Sequence, residues 1–325
     1  MPPSSRVRAV LFDTRRPGPQ DVDAGSVDVA SLADTQLFWI ELHDSALQAP
    51  IAERLGIPPE IMEAMRDTEP TPRLVDAGDC FWLRACGIRH GDEDGSFEVH
   101  AVDLIAGRNF VVSFGSGDVA RAEAMLGRPA RRRDLGRLSA ASFVAARLHA
   151  LLSTYFEAVS RIEVLVERIE QDILDPGHTE CMDDLRLLLR STSRLRRILA
   201  GHRALFTGLA RPDFRPDDGE ESRRHFAALD DKYERAMDVV ENSRELVIGC
   251  FELFSSRTAL SMNETMRTLT FLTVLFGIIA VAAGILGMNF KAGFFEARWG
   301  FWIALGSMAL AGAAVVFLAR RYRWM

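Results

Sequence analysis

Cysteine is scarce in this chain of 325 residues. The four that occur, Cys80, Cys86, Cys181 and Cys250, form no CxxC pair. In a cytosolic setting they read as reduced and structural. The N-terminal text MPPSSRVRAVLFDTRR lacks an apolar h-region. We therefore expect no signal peptide there, and a large N-terminal part that stays in the cytosol. Excess positive charge is also lacking: the formal net charge is -6, which argues against general nucleic-acid binding. No Ser-His-Asp, Cys-His or metallohydrolase spacing stands out, so a membrane-tethered enzyme has no catalytic constellation to rest on.

Charge is missing altogether from two stretches, Thr268 to Phe290 and Trp299 to Ala319. Each is about as long as the roughly 20 residues needed to span a bilayer core. Two buried core helices of a soluble protein are the competing reading, but two such runs joined by a short hairpin near the chain end are rare in soluble folds. Arg267 precedes the first run, and Arg320, Arg321 and Arg323 follow the second, whereas the hairpin at 288–298 offers Lys291 and Arg298. This bias predicts that both termini are cytoplasmic. Trp299, Trp302, Tyr322 and Trp324 stand at the span ends, where amphipathic rings prefer the interface.

Residues 1–135 alternate strand-like and helix-like text. VRAVLFD (7–13) and LFWIELH (37–43) read as strands. SALQAPIAERLG and PPEIMEAMRD read as short helices, the second opening on proline. CFWLRACGIRH and FEVHAVDLIA flank the turn-rich GDEDGS, a hairpin pattern, and NFVVSFG follows. Residues 136–262 are different in character. One long amphipathic helix runs to Asp175-Pro176-Gly177, and MDDLRLLLRSTSRLRRILAGHRALFTGLA reads as a second helix. From about Ser222, apolar or small residues recur at Phe226, Leu229, Tyr233, Ala236, Val240, Ser243, Val247, Cys250 and Phe254. Alternating steps of three and four are the heptad signature of packed helices. The pattern runs straight into the first span, so a helix over about 222–288 would be roughly 100 Å long at 1.5 Å per residue. Residues 263–325 form the membrane part, with spans at about 266–288 and 299–319. The expected class is α+β: a mixed cytosolic α/β domain, then long stalk helices, then two C-terminal transmembrane helices. A helix this long hides its stripe most economically by self-association.

Counting on by threes and fours picks out Asn263, Met266, Thr270, Thr273, Gly277, Ala280, Gly284 and Gly287. All but Met266 are small or polar. Leu272, Leu275, Phe276, Ile279 and Leu286 lie on the other side, suited to lipid or a neighbouring helix. Small residues at this spacing permit close helix packing. Equally, the stripe can line a water-filled lumen, with Asn263 at one end and Asn289 at the other. A buried carboxamide facing lipid is costly, whereas in a symmetric ring it supplies several oxygen ligands from one segment.

The run MNETMRTLTFLTVLFGIIAVAAGILGMNF resembles the first membrane span of the CorA family of divalent-cation channels, including its ZntB-like zinc transporter branch. Asn263, Met266, Leu269 and Thr270 match at the entry, and Gly284, Gly287, Met288, Asn289 and Phe290 at the exit. The tail ARRYRWM is similar too. The resemblance implies a funnel-like homopentamer in a bacterial-type inner membrane, with divalent cations as the transported ions and no cofactor. In it, Gly287, Met288 and Asn289 form the outer selectivity ring, and a hydrated cation is held at Asn289 and Gly287. Met266 and Leu269 would form an apolar constriction that gates by dewetting. The chain departs from the family's magnesium-type pattern at Ile278, usually proline, at Gly277, usually bulky, and at Ala280, usually a hydroxyl. Those departures leave the ion open among Mg²⁺, Zn²⁺, Co²⁺ and Ni²⁺, though neither span holds a His or Cys for tight zinc coordination. A membrane-anchored, non-conducting scaffold or sensor is the alternative.

Weaker patterns remain. Gly115 and Gly117 follow a strand, as a plain turn or an incomplete phosphate loop. Arg186, Arg190, Arg194 and Arg197 share one helix face, solvated or set against acidic helices or headgroups. Asp183 with Asp184, Asp230 with Asp231, and His43 beside Glu41 and Asp44 are exposed acids or strand-end polar residues before they are cation sites.

Overall fold

The computed structural model describes residues 7–15, 19–42, 48–67, 69–91, 95–114, 139–175, 181–215, 219–287 and 299–321. It divides into two compact units, Met1–Cys250 and Phe251–Met325.

The first unit contains a seven-stranded sheet in the order β2-β1-β3-β7-β6-β5-β4. Its strands are β1 (Val7–Asp13), β2 (Gln20–Asp21), β3 (Gln36–Leu42), β4 (Arg73–Asp76), β5 (Phe81–His90), β6 (Phe97–Ala106) and β7 (Phe110–Phe114). All neighbours are antiparallel except the central pair, β3 and β7, which run parallel with Phe38 opposite Phe110 and Leu42 opposite Phe114. Strand text alternates faces with a period of two, and here both faces are covered. Phe38, Ile40 and Leu42 pack with Ala52 of α1 (Gln48–Leu55) and Ile61 of α2 (Pro59–Met65). From the other face Trp39 meets Phe143 of α3 (Ala140–Leu174), ring centroids 5.4 Å apart, and Phe12 meets the same ring at 6.0 Å. Burial on both sides explains why β3 reads as a nearly continuous apolar run rather than a strict alternation.

The α3 helix starts at Ser139, whose hydroxyl accepts the Ser142 N–H at 3.0 Å, a side-chain cap for an otherwise unpaired donor. Antiparallel to it lies α4 (Cys181–Ala200), followed by α5 (Arg203–Ala210). The sequence predicts one helix across this region; the structure breaks it at Gly201-His202. The His202 N–H donates to Leu199 in a tight turn. A Cβ on Gly201 would sit 3.3 Å from the Ile198 carbonyl, a tight approach to fixed backbone, and in ordinary contact with Pro72 at 3.6 Å. The break lets the His202 ring reach the sheet, where Nε2 accepts the Cys86 N–H at 2.8 Å.

The last helix of this unit, α6 (Gly219–Leu286), continues without interruption into the second unit. Its heptad residues Phe226, Leu229, Tyr233, Ala236, Val240, Val247 and Cys250 are buried, as the spacing predicts. It runs parallel to α3 at a constant offset: Ser139 meets Ser222, Ser142 meets His225, and Lys232 donates to the His149 carbonyl. Against α4 and α5 it is antiparallel, with Arg196 paired to Glu241 and Arg203 to Glu234. In the second unit, α7 (Gly300–Arg321) follows α6.

Candidate functional site

On α6 the predicted lining residues Asn263, Met266, Leu269, Thr270, Thr273, Gly277, Ala280, Gly284 and Gly287 are all exposed. Met266 is 54 % and Leu269 57 % exposed, so even the large members of this face stand largely open. The opposite face differs. Phe271 is buried, and Leu275, Ile279 and Ala282 are half-buried, again in steps of four and three. On α7 a matching half-buried row holds Met308, Gly312, Val315 and Val316. At 3.6 residues per turn the covered row of α6 lies about opposite the small-residue row. One narrow apolar row of the first span is thus covered within the chain, while the small-residue side is bare and the flanking apolar residues Leu272, Val274, Phe276, Ile278, Val281 and Ile285 are exposed as well.

Two features define what that bare side can do. Among the described residues, nothing beyond the local helix backbone lies within 4 Å of a Cβ built on Gly277 or Gly284. Their smallness answers no packing demand within the chain. The threonine hydroxyls are oriented by the helix itself: Thr270 donates to the Met266 carbonyl and Thr273 to the Leu269 carbonyl, both at 2.8 Å. Each proton is spent on the backbone, so what remains on each oxygen is acceptor capacity. A hydrated cation can donate from its water shell to such oxygens, whereas an anion finds no donor in them.

Gly287 is the last described residue of this segment, and its N–H donates to Ala283 at 2.9 Å, closing the helix. Met288 and Asn289 lie outside the described residues, as does the hairpin. Among the described residues, α6 holds the one stretch long and apolar enough to cross a membrane; α7 has 22 residues with a shorter apolar run, Leu305–Phe317.

The weaker candidates separate clearly. Gly115, Gly117, His43 and Asp44 lie outside the described residues, and Glu41 is buried in β3. Among the described residues no group of three or more His, Cys, Asp and Glu is arranged to hold a metal ion, so neither Asp183 with Asp184 nor Asp230 with Asp231 gains a third ligand. Burial raises the Asp230 carboxyl above its ordinary range, with Glu234 and Asp231 adding to the effect.

Sequence reasoning did not single out the polar groups that hold the first unit together. The His202 Nδ1 lies 2.9 Å from the Ile198 carbonyl, to which it must donate because Nε2 is accepting. Burial drives its pKa down to about 4, against a smaller upward pull from backbone hydrogen bonds. Tyr155 donates to the Cys86 carbonyl at 2.7 Å, so both backbone groups of one β5 residue are taken up by neighbouring side chains. Across β5 and β6, Arg84 pairs with Asp103 at 2.9 Å, and Trp82 donates to the same carboxylate at 3.0 Å. Desolvation raises the Asp103 pKa in spite of Arg84. The available clue was cross-strand register: Arg84 and Asp103 are direct neighbours only once the hairpin is paired.

Beyond this geometry, the sequence pattern described as CorA-like Mg²⁺ transporter protein matches residues 34–321. The chain belongs to that family. Relatives of the CorA-like family cover nearly the whole length. The cobalt/magnesium transport protein CorA of Thermotoga maritima is 24 % identical over 294 residues, 88 % of this chain and 83 % of that protein. The divalent cation transporter CmaX of Pseudomonas aeruginosa is 24 % identical over 327 residues, 95 % of this chain and 94 % of that one. Among solved structures, the CorA magnesium transporter of Methanocaldococcus jannaschii superposes with a TM-score of 0.76 at 19 % identity, covering 98 % of each chain. The α+β architecture with a long apolar helix is therefore the CorA fold, and the family is one of transporters rather than enzymes.

Proposed function

We propose that this protein carries divalent cations across a membrane through a pore built by a ring of identical copies, with the bare face of α6 turned to the lumen. The observation that carries the reading is the small-residue row of α6, exposed along its whole length and carrying hydroxyl acceptors, on the side opposite the narrow row Phe271, Leu275, Ile279 and Ala282 that the chain itself covers. Membership of the CorA-like Mg²⁺ transporter family, and relatives named as cobalt/magnesium and divalent cation transporters, support the cargo class. Mg²⁺ is the first candidate ion, and Zn²⁺, Co²⁺ and Ni²⁺ follow.

In this reading the chain has a cytosolic α/β domain at 1–135, a stalk region at 136–262 and a membrane domain at 263–325. It sits in a bacterial-type inner membrane with both termini in the cytoplasm, and five copies close the ring. Gly287, Met288 and Asn289 form the outer selectivity ring. Mg²⁺ sheds its water reluctantly. Asn289 amide oxygens and Gly287 carbonyls therefore hold the hydrated ion through its water shell. Met266 and Leu269 make the apolar constriction, while Thr270, Thr273, Gly277, Ala280 and Gly284 keep the path narrow but unobstructed. A membrane potential drives a divalent ion inward by roughly 4–5 kcal/mol per 100 mV, twice the single-charge value.

The test is Mg²⁺ and Zn²⁺ uptake into liposomes carrying the full-length protein or its Asn289→Ala variant. The expected result is saturable uptake by the wild type and about tenfold or greater loss in the variant, from removal of an oriented ligand in each copy. Equal uptake by the two proteins would remove Asn289 from the path. Uptake no greater than that of empty liposomes would leave a non-conducting, membrane-anchored scaffold as the better description.

A further inference from the structure

The first unit carries two charged rows that its own packing does not use. On α4, Arg190 and Arg197 are exposed, on the face opposite the buried row Leu185, Leu188, Thr192, Leu195 and Leu199. Of the other arginines on that side, Arg186 is engaged by Asp183 and Arg194 lies over the Phe97 ring. On α6, Asp231, Asp238 and Glu245 are exposed at strict seven-residue spacing, on the face opposite the buried heptad row. Among the described residues, Arg190, Arg197, Asp238 and Glu245 have no ion-pair partner.

Both rows point away from the bundle that α4 and α6 share, so they cannot meet within one chain. A surface with a positive row on one side and a negative row on another is self-complementary head to tail. Repeated by rotation, that kind of contact closes into a ring.

The heights agree. Within the chain, Arg196 stands level with Glu241 and Arg203 with Glu234, so seven residues up α4 and α5 correspond to seven down α6. By that count Arg197 is level with Val240, and Arg190 with Val247. Asp238 and Glu245 are each two residues from those levels, about 3 Å of helix rise. Rotation about an axis along α6 leaves every residue at its own height. A neighbouring copy therefore brings Arg197 to the level of Asp238, and Arg190 to the level of Glu245.

We propose that neighbouring copies dock through this ladder, with Arg190 and Arg197 on α4 of one chain facing Glu245 and Asp238 on α6 of the next. The inference rests on the ring-of-copies reading above, because that reading supplies the axis along α6. It adds which surfaces meet. Each exposed pair is individually weak, but two pairs repeated at every interface fix the register and exclude shifted rings, where like charges would face each other.

The test uses full-length protein in detergent, with assembly mass followed on dilution by light scattering. Arg190→Glu/Arg197→Glu and Asp238→Arg/Glu245→Arg should each raise the concentration at which the assembly comes apart about tenfold or more. The four-fold variant combining both reversals should return to the wild-type value. Circular dichroism of every variant checks that the helices are intact. If neither double reversal changes the dissociation concentration, or if each does and the combination fails to restore it, the ladder is wrong while the ring stands. A wild type that is a single chain at every concentration would overturn the ring itself. If the arginine reversal leaves assembly unchanged and lowers binding to anionic phosphatidylglycerol vesicles, the row serves headgroups, and the ladder is again refuted.

Discussion

His202 offers the sharpest quantitative expectation. It is fully buried and must be neutral, because Nε2 accepts from the Cys86 N–H while Nδ1 donates to Ile198. Its folded pKa is about 4, against 6.5 for the free side chain. A base whose folded pKa is depressed is neutral in both states above pH 6.5, so there it adds no pH dependence. Between pH 6.5 and 4 the unfolded chain takes up the proton and the folded chain does not, so stability falls with acidification. The gap of about 2.5 pKa units, at about 1.4 kcal/mol each, amounts to roughly 3 kcal/mol lost by pH 4. For a folded unit of this size that is a drop of about 6–12 °C in the thermal midpoint. The assay is thermal unfolding of the full-length protein in detergent, by circular dichroism, from pH 7.5 to 4.5. Carboxylates titrate over the same range, so the reference is His202→Gln, whose amide oxygen can accept from the same N–H but cannot take up the proton. The wild type should start higher at pH 7.5 and converge on the variant as pH falls. Parallel curves would refute the assignment of a buried neutral imidazole.

Two further expectations separate fold from transport. Arg84→Met leaves Asp103 buried beside Trp82 with its main partner gone, and should cost about 3–5 kcal/mol in unfolding free energy; adding Asp103→Leu should recover only part of that, since it removes the unpaired charge but leaves the buried Trp82 N–H without its acceptor. At Gly277 an added Cβ has open space beyond the local helix backbone, so Gly277→Leu should keep the thermal midpoint within about 2 °C while liposome uptake of Mg²⁺ falls at least tenfold. A stable variant with unchanged uptake would take Gly277 off the lumen.

Much of this was legible in the chain. Runs of apolar and β-branched text bounded by turn signals located β1, β3, β5, β6 and β7 to within a residue or so, and the three-four spacing of Phe226 to Cys250 marked the buried side of α6. The short strands β2 and β4 were not legible: two and four residues carry too little pattern to separate from a loop, and pairing with β1 and β5 is what makes them strands. The division of MDDLRLLLRSTSRLRRILAGHRALFTGLA into α4 and α5 was missed for a similar reason. A single glycine inside an amphipathic run costs about 1 kcal/mol and does not by itself stop a helix; the stop comes from His202 binding a strand more than a hundred residues earlier. On the site, spacing could pick out the row of small residues, but it could not say whether another part of the same chain covers them. The exposure of that row, and the commitment of the Thr270 and Thr273 protons to their own helix, required coordinates.

The parallel pairing of β3 with β7 sets an order of events during synthesis. Phe38 must wait for Phe110 to leave the ribosome before the middle of the sheet can close. About 150 further residues then separate β7 from the start of the apolar stretch, roughly 8–30 s of translation at ordinary rates, whereas a mixed domain of this kind folds in milliseconds to seconds. The sheet therefore has time to pair before the first hydrophobic segment reaches the insertion machinery, whereas the first unit is complete only when α6 has emerged as far as Cys250, shortly before that segment begins.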